Sequence, residues 1–285
     1  MKPSVFSHPA HLVSAYQICF VSEAGDLTRV LIRFADPEPC LAIVESLSPE
    51  NLLAAGSQTH STADLSVLFL PSNASDLSDW QKRAEQWIAE TSSGNIAPTV
   101  ELQMKSGKIL WRPGRAVVQA GGEYLNEWLI AMADFAFREG QLRKLEDPVR
   151  ADLTAAPQDI PLTHAVSPAD LKRQYHVNEM TSRNTLARLK FVQWGPRLEN
   201  TSRLSGFSKL IISELLEKTR ISDRLKALDD QLEVLQDLYE SANDRLTEFR
   251  YFNEEVHLER WIIFLLWLEV VLLVLELLMS WIKGG

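Results

Sequence analysis

Cysteine is almost missing from this chain: Cys19 and Cys40 are the only two in 285 residues, both in apolar stretches and neither at metal or redox spacing. That rules out a disulfide framework as the organising device. It reads as buried thiols in a reducing compartment, with a single disulfide left open. Histidine is scarce too. His8, His11, His60, His164 and His176 are scattered, and Glu254 with His257 forms one E-x-x-H pair, where a di-iron bundle needs two such pairs and two further glutamates. There is no phosphate-binding glycine loop, nucleophile elbow or paired-cysteine motif, so no enzyme class, cofactor or metal is indicated. Gly121-Gly122 ahead of a helical stretch reads as a plain turn, or as backbone N–H groups offered to an anion. Basic residues are in deficit, 29 against 38 acidic for a net charge of −9, which argues against nucleic acid as a direct partner. The first twenty residues hold one lysine, no arginine and no continuous apolar run, unlike a signal peptide or an Arg-rich presequence. Membrane targeting is therefore expected from the other end.

What the chain has there is Trp261–Ile282, WIIFLLWLEVVLLVLELLMSWI, with no basic residue, glycine or proline. As a helix it spans roughly 33 Å, about the thickness of a bilayer's hydrocarbon core. Fifteen of its residues are Leu, Ile, Val or Phe, and it carries two carboxylates, Glu269 and Glu276. On an insertion scale the apolar residues contribute about −4.5 to −9 kcal/mol and two central acids cost about 5–7 kcal/mol. Insertion is thus balanced unless the carboxyls are protonated or find partners. A buried helix of a soluble protein is the other reading, though such a helix normally shows a wider polar face.

Upstream, residues 1–120 read as a small mixed α/β domain. Tyr16–Val21 and Thr28–Phe34 are predicted strands around a Gly25-Asp26 turn, and Leu65–Leu70 is a third, stopped by Pro71. Asp76 or Ser78 caps a predicted helix bearing Trp80, Ala84, Trp87 and Ile88. Val100–Met104 and Lys108–Trp111 flank a Ser106-Gly107 hairpin signal, and Val117-Val118 extends the sheet. Residues 121–205 turn helical, with Tyr124, Trp128, Ala131, Phe135, Leu142 and Leu145 on one stripe. A connection is expected from Pro148 to Pro168, a helix start at Ser167-Pro168, and a helix over Ser182–Trp194 stopped by Gly195-Pro196.

Residues 206–260 read as a long coiled-coil helix. Leu225, Leu228, Leu232, Leu235, Tyr239, Ala242, Leu246, Phe249, Asn253 and Val256 alternate three and four apart. The seam either pairs between chains or packs in an intramolecular bundle. No Gly or Pro separates it from Trp261, so the simplest expectation is one helix from about Phe207 to Ile282, roughly 110 Å long, with 261–282 as its transmembrane part. Asp223–Glu255 carries ten acidic and four basic residues, a strongly acidic, solvated outer face. Seven residues apart, Glu269 and Glu276 lie within ~20° of one helix face. In the continued register Arg260, Ile263, Trp267, Val270, Val274, Leu277 and Trp281 form the seam, and both glutamates fall off it. Their face then needs neutral carboxyls, a third helix, or a ring of chains. Intramembrane carboxylates are functional candidates by default, here for oligomer contacts or for ions. Arg260, Trp261, Trp281 and Lys283 are placed to sit at the membrane interface. Arg245, Arg250 and Arg260 before the span outnumber Lys283 after it, which favours a cytoplasmic N-terminal part.

The C-terminal half resembles the "required for meiotic nuclear division" family of C-terminally anchored membrane proteins. The resemblance rests on Arg183-Asn184-Thr185-Leu186-Ala187-Arg188-Leu189, on Arg224-Leu225 with Leu232-Glu233, on Tyr239, and on Leu258-Glu259-Arg260-Trp261-Ile262-Ile263 leading into Glu269-Val270. Arg260 between the glutamate and the tryptophan departs from the family string, and the N-terminal domain is not covered. The resemblance implies a single-pass, homo-oligomeric scaffold rather than an enzyme. In mitochondrial members that scaffold supports organelle translation by holding ribosomes near the inner membrane. The lack of a presequence points to a bacterial member, in the inner membrane with an unidentified soluble protein partner. An oligomeric channel or sensor with an intramembrane Glu face is the alternative.

Overall fold

The computed structural model describes residues 12–22, 29–35, 38–54, 65–72, 77–90, 98–204 and 206–284, the last nine of these by backbone alone. The fold is mixed α/β, a seven-stranded N-terminal sheet followed by a helical C-terminal half. Two compact units divide it: Met1–Pro148 with Leu189–Asp229, and Val149–Arg188 with Asp230–Gly285.

In the first unit the strands are β1 (Ser14–Val21), β2 (Val30–Phe34), β3 (Cys40–Leu47), β4 (Leu65–Pro71), β5 (Val100–Met104), β6 (Gly107–Arg112) and β7 (Arg115–Ala120). Their order is β2-β3-β1-β4-β7-β6-β5. Every neighbouring pair is antiparallel except β4 with β7, where Ser66 to Pro71 run parallel to Arg115 to Ala120. All seven residues of β4 are buried, as befits a central strand covered on both faces. One face packs on α1 (Pro49–Ala54) and α2 (Leu77–Ala89), with Ala15, Leu68, Leu70 and Val117 against Leu52, Ala84, Trp87 and Ile88. The other face meets α3 (Leu125–Ala155): Trp111 lies edge-on to Phe135 at 4.8 Å, and Phe34 stacks on Phe137 at 3.8 Å.

The predicted strands at Tyr16, Leu65, Val100 and Lys108 are present, and Val117-Val118 lies in β7. The Gly25-Asp26 turn and the Asp76 cap lie outside the described residues. The hairpin turn is Lys105-Ser106 rather than Ser106-Gly107, because Gly107 opens β6 opposite Ala120. Its absent side chain matters there, since a Cβ would stand 2.5 Å from the Gln119 carbonyl and 3.1 Å from the Trp128 ring. Pro113-Gly114, with Gly114 at φ 81°, makes the next turn; proline pre-sets its first central residue and glycine takes the left-handed second. Cys19 and Cys40 are both half-buried, and burial pushes the Cys40 thiol up.

The helices depart from expectation at their ends. Pro148 stands inside α3 and Pro196 inside α4 (Gln174–Glu199), where each was expected to mark a stop. An interior proline costs about 3 kcal/mol. Buried Val149 and Asp152 lie beyond the first, and buried Trp194 and Leu198 flank the second, so packing on both sides sustains the helix. The stretch after α3 is a series of short 3-10 turns up to Arg173. The single helix expected from Phe207 is two: α5 (Gly206–Lys218) and α6 (Ile221–Gly284). Between them Arg220 takes φ 52° without a glycine to mark it, and its N–H bonds the Glu217 carbonyl at 3.0 Å. The break lets Ile211, Ile212 and Leu215 of one helix and Ile221, Leu225 and Leu228 of the other all be buried.

Candidate functional site

α6 carries the leucine seam, both glutamates of the apolar run and the residues expected at the membrane interface. Leu225 and Leu228 are buried in the first unit; Leu232, Leu235, Tyr239, Ala242 and Leu246 are buried in the second. Phe249, Asn253 and Val256 are half-buried, and no side chain among the described residues is buried after Leu246.

Beyond that point the helix surface changes character. Trp261, Ile262, Ile263, Phe264, Leu265, Leu266, Trp267, Leu268, Val270, Leu272, Leu273, Val274 and Leu275 are all exposed, with Ile263 at 65 % and Trp267 at 61 %. With half-buried Val271 they fill every position from 261 to 275 but that of Glu269, so the apolar surface runs all round the helix rather than along a stripe. Glu269 is exposed among them, as is Arg260, and Trp261 sits edge-on to Phe264 at 5.9 Å. Glu276, Trp281 and Lys283 lie in the backbone-only portion. Among the described residues no helix is long and apolar enough to cross a membrane. The described side chains of the run end at Leu275, a stretch of fifteen residues counted from Trp261 and about 22 Å along the axis, short of a bilayer core.

A buried polar cluster in the second unit was not foreseen. The Asp159 carboxylate accepts from Arg173 on one oxygen, and on the other meets His176 Nε2 at 3.1 Å and the Tyr239 hydroxyl at 3.0 Å. It thereby ties the 3-10 segment, α4 and α6 together. Burial, then the Asp159 hydrogen bond and charge, push the Tyr239 hydroxyl well above its ordinary range and keep it a donor. Nearby, Arg183 donates to Asp152 at 2.7 Å; burial raises the Asp152 carboxyl against the pull of Arg183. Asn184, beside Arg183, is buried, and neither of its amide atoms has a hydrogen-bond partner among the described residues. Tyr239 itself was the available signal. A hydroxyl on a leucine seam needs a partner, but nothing in the spacing names Asp159, eighty residues earlier.

The first unit holds a second cluster. Arg224 bonds Glu139 at 2.7 Å and both Glu146 oxygens at 2.8 and 2.9 Å. Burial opposes the Arg224 charge, but these two carboxylates outweigh it and raise its basicity. Arg138, paired with Asp134, donates to the carbonyls of Arg197, Leu198 and Asn200, capping α4. Asn184 apart, both networks consist of ion pairs, hydrogen bonds and caps.

The weaker sequence candidates resolve simply. Glu123 folds its carboxylate back onto Gly121, so the turn ahead of α3 carries its own acid. Glu254 pairs with Arg250 at 3.1 Å, and no group of three or more metal-ligating side chains forms among the described residues. His8, His11 and His60 lie outside the described residues. No protein-family model matches this chain, and no curated protein matches it.

Proposed function

We propose that this chain is a non-enzymatic, tail-anchored membrane scaffold. Its tail, residues 261–282, inserts in a bilayer, the bacterial inner membrane, with the N-terminal part cytoplasmic. The observation that carries the reading is the all-round exposure of apolar side chains from Trp261 to Leu275. Water-soluble proteins rarely leave so large a continuous apolar surface uncovered, and the sequence continues it to Ile282, long enough to span. The heptad register running on from Leu246 supports homo-oligomerisation through the end of the coiled-coil helix and the span. Leu225 to Leu246 are already covered within the chain, so pairing between chains falls to Phe249 and beyond. The family resemblance supports a scaffold holding a soluble protein partner at the membrane, translation-related if it follows the mitochondrial members.

The test is flotation of the full chain with lipid vesicles at pH 5 followed by extraction with high salt at the same pH. Wild type floats and resists extraction, whereas a variant with Leu265→Lys and Leu272→Lys stays in the soluble fraction. Wild type remaining at the bottom of the gradient overturns the reading.

Glu269, standing within that apolar surface, favours a second reading: an oligomeric channel or sensor with a Glu face. Proton or cation flux through reconstituted liposomes would establish it, and a tight bilayer under every trigger would remove it.

A further inference from the structure

Glu269 is exposed in the middle of the apolar run, and among the described residues no element packs against it. The nearest charged groups on its own helix are Glu259 and Arg260 before it and, in sequence, Glu276 and Lys283 after it. A carboxyl on this helix face can enter hydrocarbon by three routes: a helix of the same chain to bond it, a neighbouring chain, or a proton. The first is not provided among the described residues. Carboxylates as a class are charged in neutral water, and their transfer into hydrocarbon nearly offsets the apolar gain of the run. Protonation removes most of that opposing contribution.

We propose that insertion of the tail is proton-coupled. Glu269 and Glu276 each take one proton from water as the helix enters the bilayer, so the membrane-bound fraction is set by pH. This rests on the membrane reading above. It makes the two glutamates a release mechanism rather than flaws in an anchor. At high pH the scaffold is held weakly; at low pH the same helix, two charges lighter, is held firmly. Thermodynamic linkage fixes the size of the effect: each proton taken up steepens partitioning by up to about tenfold per pH unit, and two give up to about a hundredfold.

The experiment measures partitioning of the full chain into zwitterionic phosphatidylcholine vesicles from pH 5 to pH 8. Such vesicles keep one surface charge across that range. Wild type is expected to bind at least about tenfold more tightly at pH 5 than at pH 8. The variant with Glu269→Gln and Glu276→Gln is expected to bind at every pH as wild type does at pH 5, with each single variant retaining about half the slope on a logarithmic scale. A control with Glu254→Gln, Glu255→Gln and Glu259→Gln, all outside the span, keeps the wild-type slope. Equal wild-type binding at both ends of the range, or a slope surviving in the double variant, overturns proton coupling while leaving the membrane reading in place. Failure of wild type and double variant alike to bind at any pH overturns both.

Discussion

Along α6 the same heptad positions meet two different surroundings. From Leu225 to Leu246 they are buried and the intervening residues are mainly charged, so the helix has an inside and an outside. From Trp261 to Leu275 the seam positions are no more apolar than their neighbours, and both are exposed. The first half is a helix shaped by contact with its own chain. The second has no polar side to turn to water, and periodicity alone does not distinguish the two. What separates them is the residues between the seam positions: Asp229, Asp230, Glu233 and Asp237 in one half, Leu265, Leu266, Leu272 and Leu273 in the other.

The sharpest way to break this contrast is to make one chemical change in both halves. Leu235→Ala should lower folding stability by about 2–5 kcal/mol, the loss expected when a fully buried leucine leaves a cavity. Leu273→Ala should change it by less than about 0.5 kcal/mol, as for an exposed position. Urea denaturation of the two variants in water, without lipid, compares them. Similar losses would mean that the distal half is also folded against protein.

A second change probes the ion pairs that support the buried half. Arg183→Met leaves Asp152 buried without its partner, and should destabilise by about 1–3 kcal/mol at pH 7. The sign of the pH dependence follows from the raised Asp152 carboxyl. The native state holds the proton more tightly than the unfolded chain, so this group's contribution is intact below the ordinary carboxylate range and is lost as pH rises through the raised value. Removing Arg183 raises that value further. The gap between variant and wild type should therefore narrow towards pH 4, read from thermal melts across pH. A pH-independent gap would assign the loss to packing alone.

The smallest effect tests the polar residue on the seam. Tyr239→Phe keeps the ring and removes the hydroxyl that donates to Asp159. Because Arg173 and His176 still reach that carboxylate, the loss should be about 1–2 kcal/mol, measured in the same urea titration. A neutral result would mean that the seam is held by its leucines alone.

How far the sequence carries depends on which forces are local. Strands such as Leu65–Pro71 and the Val100–Arg112 hairpin are legible because alternation and turn residues reside in the segment itself. The apolar tail is legible for the same reason. Pro148 and Pro196 mislead because the penalty they announce is local, whereas the packing that overrides it comes from residues far along the chain. The α5–α6 break is invisible because Thr219 and Arg220 carry no breaker; the turn exists so that two apolar faces can both be buried. The Asp159 cluster depends on pairings across tens of residues, which no spacing rule reaches. β3 and α1 escaped because Cys40–Leu47 is half-exposed and α1 only six residues long.

The two compact units are interleaved along the chain, and this governs which pieces can be cut out of it. A fragment ending at Pro148 would retain every strand of the sheet and the larger part of α3. It would also present Glu139 and Glu146 without Arg224, and Arg138 without the carbonyls of residues 197, 198 and 200. Glu139 would keep Arg143 and Arg138 would keep Asp134, but Glu146 would lose Arg224, beside an uncovered Phe137 that Trp194 normally flanks. The excisable minimum for the first unit is therefore a continuous stretch to Asp229, including the segment that belongs to the second. During synthesis, likewise, α3 waits for the start of α6 before its buried Glu139 and Glu146 meet Arg224, and only then does the apolar run from Trp261 emerge.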